Sequence, residues 1–391
     1  MPLNKMMNTF QWLCLPALMA GLFAPVTSAW AESSATKTPA AEGAGDLFDN
    51  PKVLVLNIEI PAAALARLKA DHKTYVKATL REESKALENV GIRYKGNLSL
   101  PGSARKPSFT LKFNEFNSEH RFHGQRKLTL DSSANDPTYL GEVLANDLFR
   151  AARVPAARCT FARVELNGAD LGLYVATEGV NRDFLGRHFD KTKGNLYEGD
   201  SNDVTDTLNK DSGEETKDQP DLAALVGAAR VQNPEQRWQR LEKVLDLPRF
   251  LSFAAVEVFT WNTDGYCLSP KKYRIYHDPA SDKLVFLPHR QEQLFAKPEG
   301  AVLPEMGGLV ARAVLETAEG RRQYKEALGK LLASVVQGKA LYQRITDLSQ
   351  RIRPVLAQSD PSSLKAFDEA VAQLRVRLAQ RIRVVEQKLK S

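Results

Sequence analysis

Trp261-Asn262-Thr263-Asp264-Gly265-Tyr266 opens the stretch that decides how this chain is read, and Phe286-Leu287-Pro288-His289-Arg290-Gln291-Glu292-Gln293-Leu294-Phe295 closes it. Between them stand two β-rich runs, Lys272-Tyr273-Arg274-Ile275-Tyr276 and Lys283-Leu284-Val285-Phe286. The intervening His277-Asp278-Pro279-Ala280-Ser281-Asp282 has the composition of a turn, which predicts a hairpin. A hairpin returns its two ends to one place. Asp264 is therefore expected beside Arg290 and Glu292, on loops at one rim of a small sheet. That rim would carry the carboxylates of Asp264 and Glu292 and the cation of Arg290.

Working outward, 391 residues with 43% hydrophobic content bury enough for one large or two ordinary domains. The formal charge of +7 and a pI near 9.1 raise the question of nucleic acid, but the basic residues are interspersed with acids, and no nucleic-acid partner is expected. Nucleotide phosphates, a membrane surface or acidic polymers fit better. Residues 1–31 carry Lys5, an apolar run over 12–23 interrupted by Pro16, and Ala29-Trp30-Ala31 before Glu32, the pattern of a secretory signal peptide. No later segment is apolar and long enough to span a bilayer, so the product is expected to be exported, periplasmic or extracellular. The two cysteines beyond the leader, Cys159 and Cys267, are open to a disulfide or to two separate buried thiols, and are too few for a four-cysteine zinc site.

Residues 32–50 have the composition of a flexible leader. A β-rich part is expected over 51–198, a polar, solvated loop over 199–221, and a mainly helical part over 222–391 that carries the 261–296 centre. Within the first, Gly91-Ile92-Arg93-Tyr94-Lys95-Gly96-Asn97 and Lys106-Pro107-Ser108-Phe109-Thr110-Leu111-Lys112-Phe113 read as strands with one cationic and one apolar face. Asp136 is a predicted N-cap with Pro137 at the first helical position, ahead of a Leu140, Leu144, Leu148 stripe. Phe161 to Glu178 is predicted to be a hairpin on the Asn167-Gly168 turn. The last helix, over 364–389, is expected to pack an apolar stripe and to leave its Arg and Lys residues solvated.

These motifs together resemble the spore coat protein H (CotH) kinase family, over roughly residues 87–356. The carriers are N-x-D-G-Y before the hairpin and F-[IL]-P-x-x-x-x-Q-x-F after it, R-x-K-G-N, K-x-x-F-x-[IL]-K-F, an acid early in the following helix, and Phe161-Ala162-Arg163-Val164-Glu165-Leu166-Asn167-Gly168 running on to Gly172-Leu173-Tyr174-Val175. The resemblance implies an α+β, two-lobed atypical protein-kinase-like fold with a β-rich N-lobe and a helical C-lobe. It implies ATP as cofactor, with Mg or Mn, and phosphoryl transfer to Ser or Thr of an exported protein or envelope component. It makes Arg93, Lys95, Lys106 and Lys112 candidates for phosphate contacts, Glu142 the partner of one of those cations, Glu178 the edge of the adenine hinge, Asp264 and Glu292 the metal ligands, and Asp264 and Asn262 the catalytic candidates, either of which would serve a metal or orient a hydroxyl nucleophile.

The chain departs from the family in the second half of the centre. Where the family reads W-D-x-D-Q-T-F-G, His289 stands for the Trp, Arg290 for the first Asp, Glu292 for the second and Ala296 for the Gly. Arginine is a fixed cation and cannot ligate magnesium. Two readings follow: a divergent kinase using Asp264 and Glu292, or a pseudokinase in which Arg290 takes the electrostatic place of the metal and binds nucleotide with little turnover. A carbohydrate-active exported enzyme with Asp264 and Glu292 as its paired carboxylates, and a non-catalytic surface or coat component, are the remaining alternatives.

Overall fold

The computed structural model describes residues 46–96, 106–204, 207–213, 218–334 and 339–390. The expected signal peptide, most of the leader and the 97–105 connection lie outside the described residues. The protein is a mixed α/β structure.

Seven strands form a closed barrel: β1 (Leu54–Glu59), β2 (Val76–Glu82), β3 (Lys85–Tyr94), β4 (Phe109–Lys112), β5 (Lys127–Asp131), β6 (Cys159–Leu166) and β7 (Ala169–Glu178). Their order is β1-β2-β3-β4-β5-β7-β6, closed by parallel pairing of β1 with β6. Alternation explains the filling, because every second residue of a strand points inward. Leu54, Leu56, Ile58, Val90, Ile92, Phe109, Leu111, Leu128, Leu130, Val164 and Tyr174 pack together inside, and helix α1 (Ala62–Ala70) adds Ala64 and Leu68. The β6–β7 hairpin turns on Asn167 and Gly168, both at positive φ, as an Asn-Gly turn requires.

Helix α2 (Gly141–Ala151) leaves the barrel and packs on the helical core. It begins four residues beyond Pro137. Asp136 is not its N-cap: its carboxylate accepts from the Thr138 amide and hydroxyl and, at 2.7 Å, from the Gly141 amide inside the first turn. A side chain five residues back thus satisfies an N-terminal donor that a local cap would otherwise take.

A second sheet has the order β11-β10-β8-β9, from β8 (Leu196–Gly199), β9 (Asn209–Ser212), β10 (Tyr273–Asp278) and β11 (Lys283–Pro288). One face carries Tyr197, Tyr273, Ile275, Leu284 and Phe286 into the helical core. The other carries Leu196, Tyr276, Val285 and Leu287 against Phe184, Leu185 and Phe189, which come from α3 (Arg182–His188) and the residue after it. The 199–221 segment is thus more than a solvated loop. It contains β9, buries Val204 and Leu208, and uses Asp221 to accept from the Tyr197 hydroxyl at 2.7 Å and Asp203 to accept from the Leu309 amide at 2.8 Å.

The helical core comprises α4 (Pro220–Ala229), α5 (Pro234–Val244), α6 (Leu247–Thr260), α7 (Leu309–Leu315), α8 (Ala318–Ser334), α9 (Lys339–Ser359) and α10 (Leu364–Lys390), with α2 beside them. Helix α6 is buried on nearly all sides, started by Asp246, whose side chain accepts from the Arg249 amide, and by Pro248. Its C-terminal carbonyls are met by Arg381 of α10, which is fully buried and donates to Val258 at 2.7 Å, Phe259 at 3.0 Å and Gly300. A cation placed there answers both the orphan carbonyls and the negative end of the helix dipole. Arg381 therefore departs from the solvated basic face expected of α10. Cys159 and Cys267 are separate buried thiols. Among the described residues no helix is long and apolar enough to cross a membrane.

Candidate functional site

The centre is set by the turn that follows α6. Trp261 takes a left-handed conformation and ends the helix. Asn262, fully buried, then accepts from the Asp264 amide at 3.0 Å and donates to the Gln291 side chain. One turn back, the Glu257 carboxylate accepts from the Tyr266 amide at 2.9 Å and the Cys267 amide at 2.6 Å. A Cβ at Gly265 would lie 2.5 Å from that carboxylate and would push it off the two amides. Burial pushes Glu257 up to about 7, with the two amides pulling the other way.

The β10–β11 hairpin brings the second segment to this turn. Tyr273 pairs with Pro288, and Gln291, itself buried, donates to the carbonyls of Lys272 and His289. Asp264 receives the Lys272 ammonium at 2.8 Å. His289 contacts Glu198 at 3.1 Å, and Arg274 holds the same carboxylate at 3.1 Å. Burial and the neighbouring Arg274 push His289 down to about 3, so it stands neutral; the His289 hydrogen bond and Arg274 hold Glu198 well below the usual carboxylate range. Arg290 sits at positive φ, and its guanidinium is 3.8 Å from the position of a Cβ built at Gly96. Its Nε is buried without an acceptor.

Three carboxylates meet around Glu292. Asp131 at the end of β5, Glu142 in the first turn of α2 and Glu292 offer oxygens that are all within 4.8 Å of one another. Lys95, from the end of β3, donates to Asp131 at 2.7 Å, with both side chains nearly buried. Burial pushes Asp131 up, but Lys95, the Ser133 amide and Arg290 outweigh it and hold the group low. Glu142 is raised, chiefly by burial and further by Asp131, against Lys95 and Arg290. Burial, then Asp131 and Glu142, push Glu292 up to about 7. A cavity of about 50 Å³ beside this group is lined by Lys95, Lys127, Glu142, Glu178, Arg274 and Arg290, among others.

Of the expected phosphate cations, Lys95 and Arg290 reach this centre. Arg93 and Lys112 instead face the Tyr75 ring, at 5.0 and 5.6 Å, and Lys112 also pairs with Glu115. Lys106 lies over the Tyr174 ring at 3.9 Å and donates to the Leu173 carbonyl; burial pushes it down to about 8. Glu178 is nearly buried and is held by Arg158 and Arg187, so its side chain is engaged in the fold. Asp264 is outside the carboxylate trio that includes Glu292. Reading the sequence missed Asp131, Lys272, Glu257 and Gln291. Asp131 carried a local signal, an acid two residues after Thr129 at the end of an alternating strand; the others had none.

The family model for "CotH kinase protein" matches residues 92–389. The inner spore coat protein H of Bacillus subtilis (strain 168) is 23% identical over 319 residues, which are 75% of this chain and 85% of that protein. Invasin CotH2 of Rhizopus delemar is 22% identical over 255 residues, 56% of this chain, and the chain spans less than half the length of that protein, 43%. Among solved structures, the Helicobacter pylori proinflammatory kinase CtkA overlaps 69% of this chain and 92% of its own at 10% identity and a TM-score of 0.30. HipA–HipB–operator DNA from Shewanella oneidensis gives 13% identity, 86% and 74% coverage and a TM-score of 0.29. Overlap at that level fixes neither a common site nor a common activity.

Proposed function

The chain belongs to the CotH kinase protein family, and from that premise we propose that it is an exported kinase-fold protein with a weakened phosphoryl-transfer centre. In this reading the barrel is the N-lobe, the helical part with the second sheet is the C-lobe, and their junction is the nucleotide site. The observation that carries it is the meeting of Lys95, Arg290, Asp131, Glu142 and Glu292 at that junction, cations for phosphates beside carboxylates for a metal. Export is supported by the leader composition and by the likeness to a spore coat protein. The acceptor is proposed to be a protein Ser or Thr hydroxyl, or an envelope component.

The donors present fit the implied cofactor in chemistry. Lys95 and Arg290 would hold phosphate oxygens, Glu292 would hold the metal, and a bound ATP with Mg or Mn would supply the transferable phosphoryl group. The volume is a different matter. About 50 Å³ takes an ion and a few waters, whereas ligand pockets for molecules of nucleotide size run to several hundred Å³. Entry of nucleotide therefore calls for this cavity, which Arg290 lines, to widen. Asp264, oriented by the Asn262 turn and by its ion pair with Lys272, is positioned to accept a proton from a hydroxyl.

Arg290 favours a second reading, the pseudokinase. It puts a permanent cation where the family has a carboxylate, and the cavity beside it is small. Thermal unfolding of the full chain with ATP, in Mg, in Mn and in chelator, separates the two when followed by assay of phosphate transfer. Stabilisation that needs metal, with transfer, supports the kinase. Stabilisation that survives chelator without transfer supports the pseudokinase, and no effect of nucleotide overturns both.

A further inference from the structure

We infer that Asp131, Glu142 and Glu292 together bind one divalent cation of the hard, oxygen-preferring class, such as Mg²⁺ or Mn²⁺, and that the cation loads before any nucleotide. Oxygens on opposite sides of a bound ion lie about 4.2 Å apart around Mg²⁺ and about 5 Å apart around Ca²⁺. The three carboxylates, all within 4.8 Å of one another, already have the span of one coordination shell. An all-oxygen donor set selects hard cations over zinc or copper.

Beyond the acidic cluster itself, one feature points to a ligand and a second accounts for the convergence. Glu142 is only 5% exposed, its Oε2 has no hydrogen-bond partner, and its carboxylate offers one oxygen to the cluster with the other two. Buried polar atoms are almost always satisfied, and an orphan oxygen on a buried carboxylate that is aimed into such a cluster is what a cation would answer. The second feature is Gly141. A Cβ there would stand 2.1 Å from the Glu292 carbonyl oxygen and 2.8 Å from the Asp136 carboxylate. Only glycine lets the segment after β11 lie against the first turn of α2, and that contact is what brings Glu292 to Glu142. The distant segment that carries Glu292 therefore meets the Asp131 to Glu142 stretch at a residue without a side chain.

The ligand set differs from the Asp264 and Glu292 pair expected from sequence. As the cation of a phosphoryl-transfer centre the site rests on the reading above, yet its loading requires no nucleotide, and this separates the two tests. MnCl₂ titrated into the full, nucleotide-free chain, with free Mn²⁺ read by electron paramagnetic resonance, is expected to show one bound ion per chain. Glu142→Gln and Gly141→Ala are expected to weaken that site at least tenfold, on the scale of a lost ligand or a displaced one, while Asp264→Asn leaves it within twofold. Melting temperatures confirm that each variant is folded. Should Glu142→Gln fail to fold, Glu292→Gln, on the segment after β11, carries the same expectation. Absence of a stoichiometric site in the wild type up to millimolar Mn²⁺, undiminished binding in Glu142→Gln, or equal loss in Asp264→Asn overturns the inference. Metal-dependent stabilisation by ATP with no nucleotide-free Mn²⁺ site would also overturn it, leaving the functional reading intact.

Discussion

The 261–267 turn and the 289–295 segment reach the same centre from opposite sides, and their surroundings treat them differently. The turn is fastened almost residue by residue: Arg381 holds the carbonyls that precede it, Glu257 holds the amides of Tyr266 and Cys267, Asn262 holds the Asp264 amide, and Gly265 leaves no room for a side chain. The opposite segment is fastened at His289, Gln291 and Phe295, whose amide donates to Thr260 at 2.5 Å. Between those points Arg290 has a positive φ and an unanswered Nε. In the reading proposed above, the turn keeps the pattern that the sequence shares with the family and the segment departs from it. Of the departing positions, His289 is built into the fold through Glu198, whereas Arg290 has no such tie at its Nε, so on the proposed reading the Arg290 departure bears on ligands and turnover rather than on architecture.

If that contrast holds, variants around the turn should cost stability and variants of the segment should change binding. The largest effect is expected from Arg381→Leu, which leaves the α6 carbonyls unanswered in a dry core. A loss of about 3–5 kcal/mol is expected in denaturant unfolding; a loss near zero would mean the turn is held by something else. Glu257 comes next and acts through pH. Its value in the folded chain, about 7, is above the ordinary 4.5, so its contribution is complete below about pH 4.5 and drains away as pH rises through 7. The slope in that window is at most about 1.4 kcal/mol per pH unit. Glu257→Gln should flatten it, and an unchanged profile would remove Glu257 from the account. The smallest effect belongs to Lys272→Met. The half-buried pair with Asp264 is worth at most about 1 kcal/mol of stability. Phosphate transfer, where measurable, is expected to fall much further than the melting temperature.

What the sequence disclosed follows the range of the interactions. The Asn167-Gly168 hairpin, the β10–β11 hairpin and the Asn262 to Gly265 turn are made by neighbours, so their residue types announce them. Juxtaposition of Asp264 with the Arg290 and Glu292 segment follows from the second hairpin alone. The site's other members depend on distant partners. Lys95 and Asp131 are 36 residues apart, and Arg381 meets Phe259 across 122. No periodicity encodes such pairs. Four basic residues on two strands looked equivalent, yet only Lys95 turns to the carboxylates, because Tyr75 takes Arg93 and Lys112, and Tyr174 takes Lys106. The expected N-cap at Asp136 failed for a related reason. Its carboxylate reaches forward to Gly141, a residue that the packing of Glu292 requires to be glycine.

The central claim is that the fixed turn remains competent and that the altered segment limits the reaction. Arg290→Asp tests it most directly, with phosphate transfer from ATP in the presence of Mn measured alongside the melting temperature. The account predicts that the variant, which restores a carboxylate where the family has one, transfers phosphate at least tenfold faster than the wild type with a melting temperature little changed. An equally slow variant that is fully folded would contradict it, and would move the loss of activity from the segment to the turn or to the nucleotide site itself.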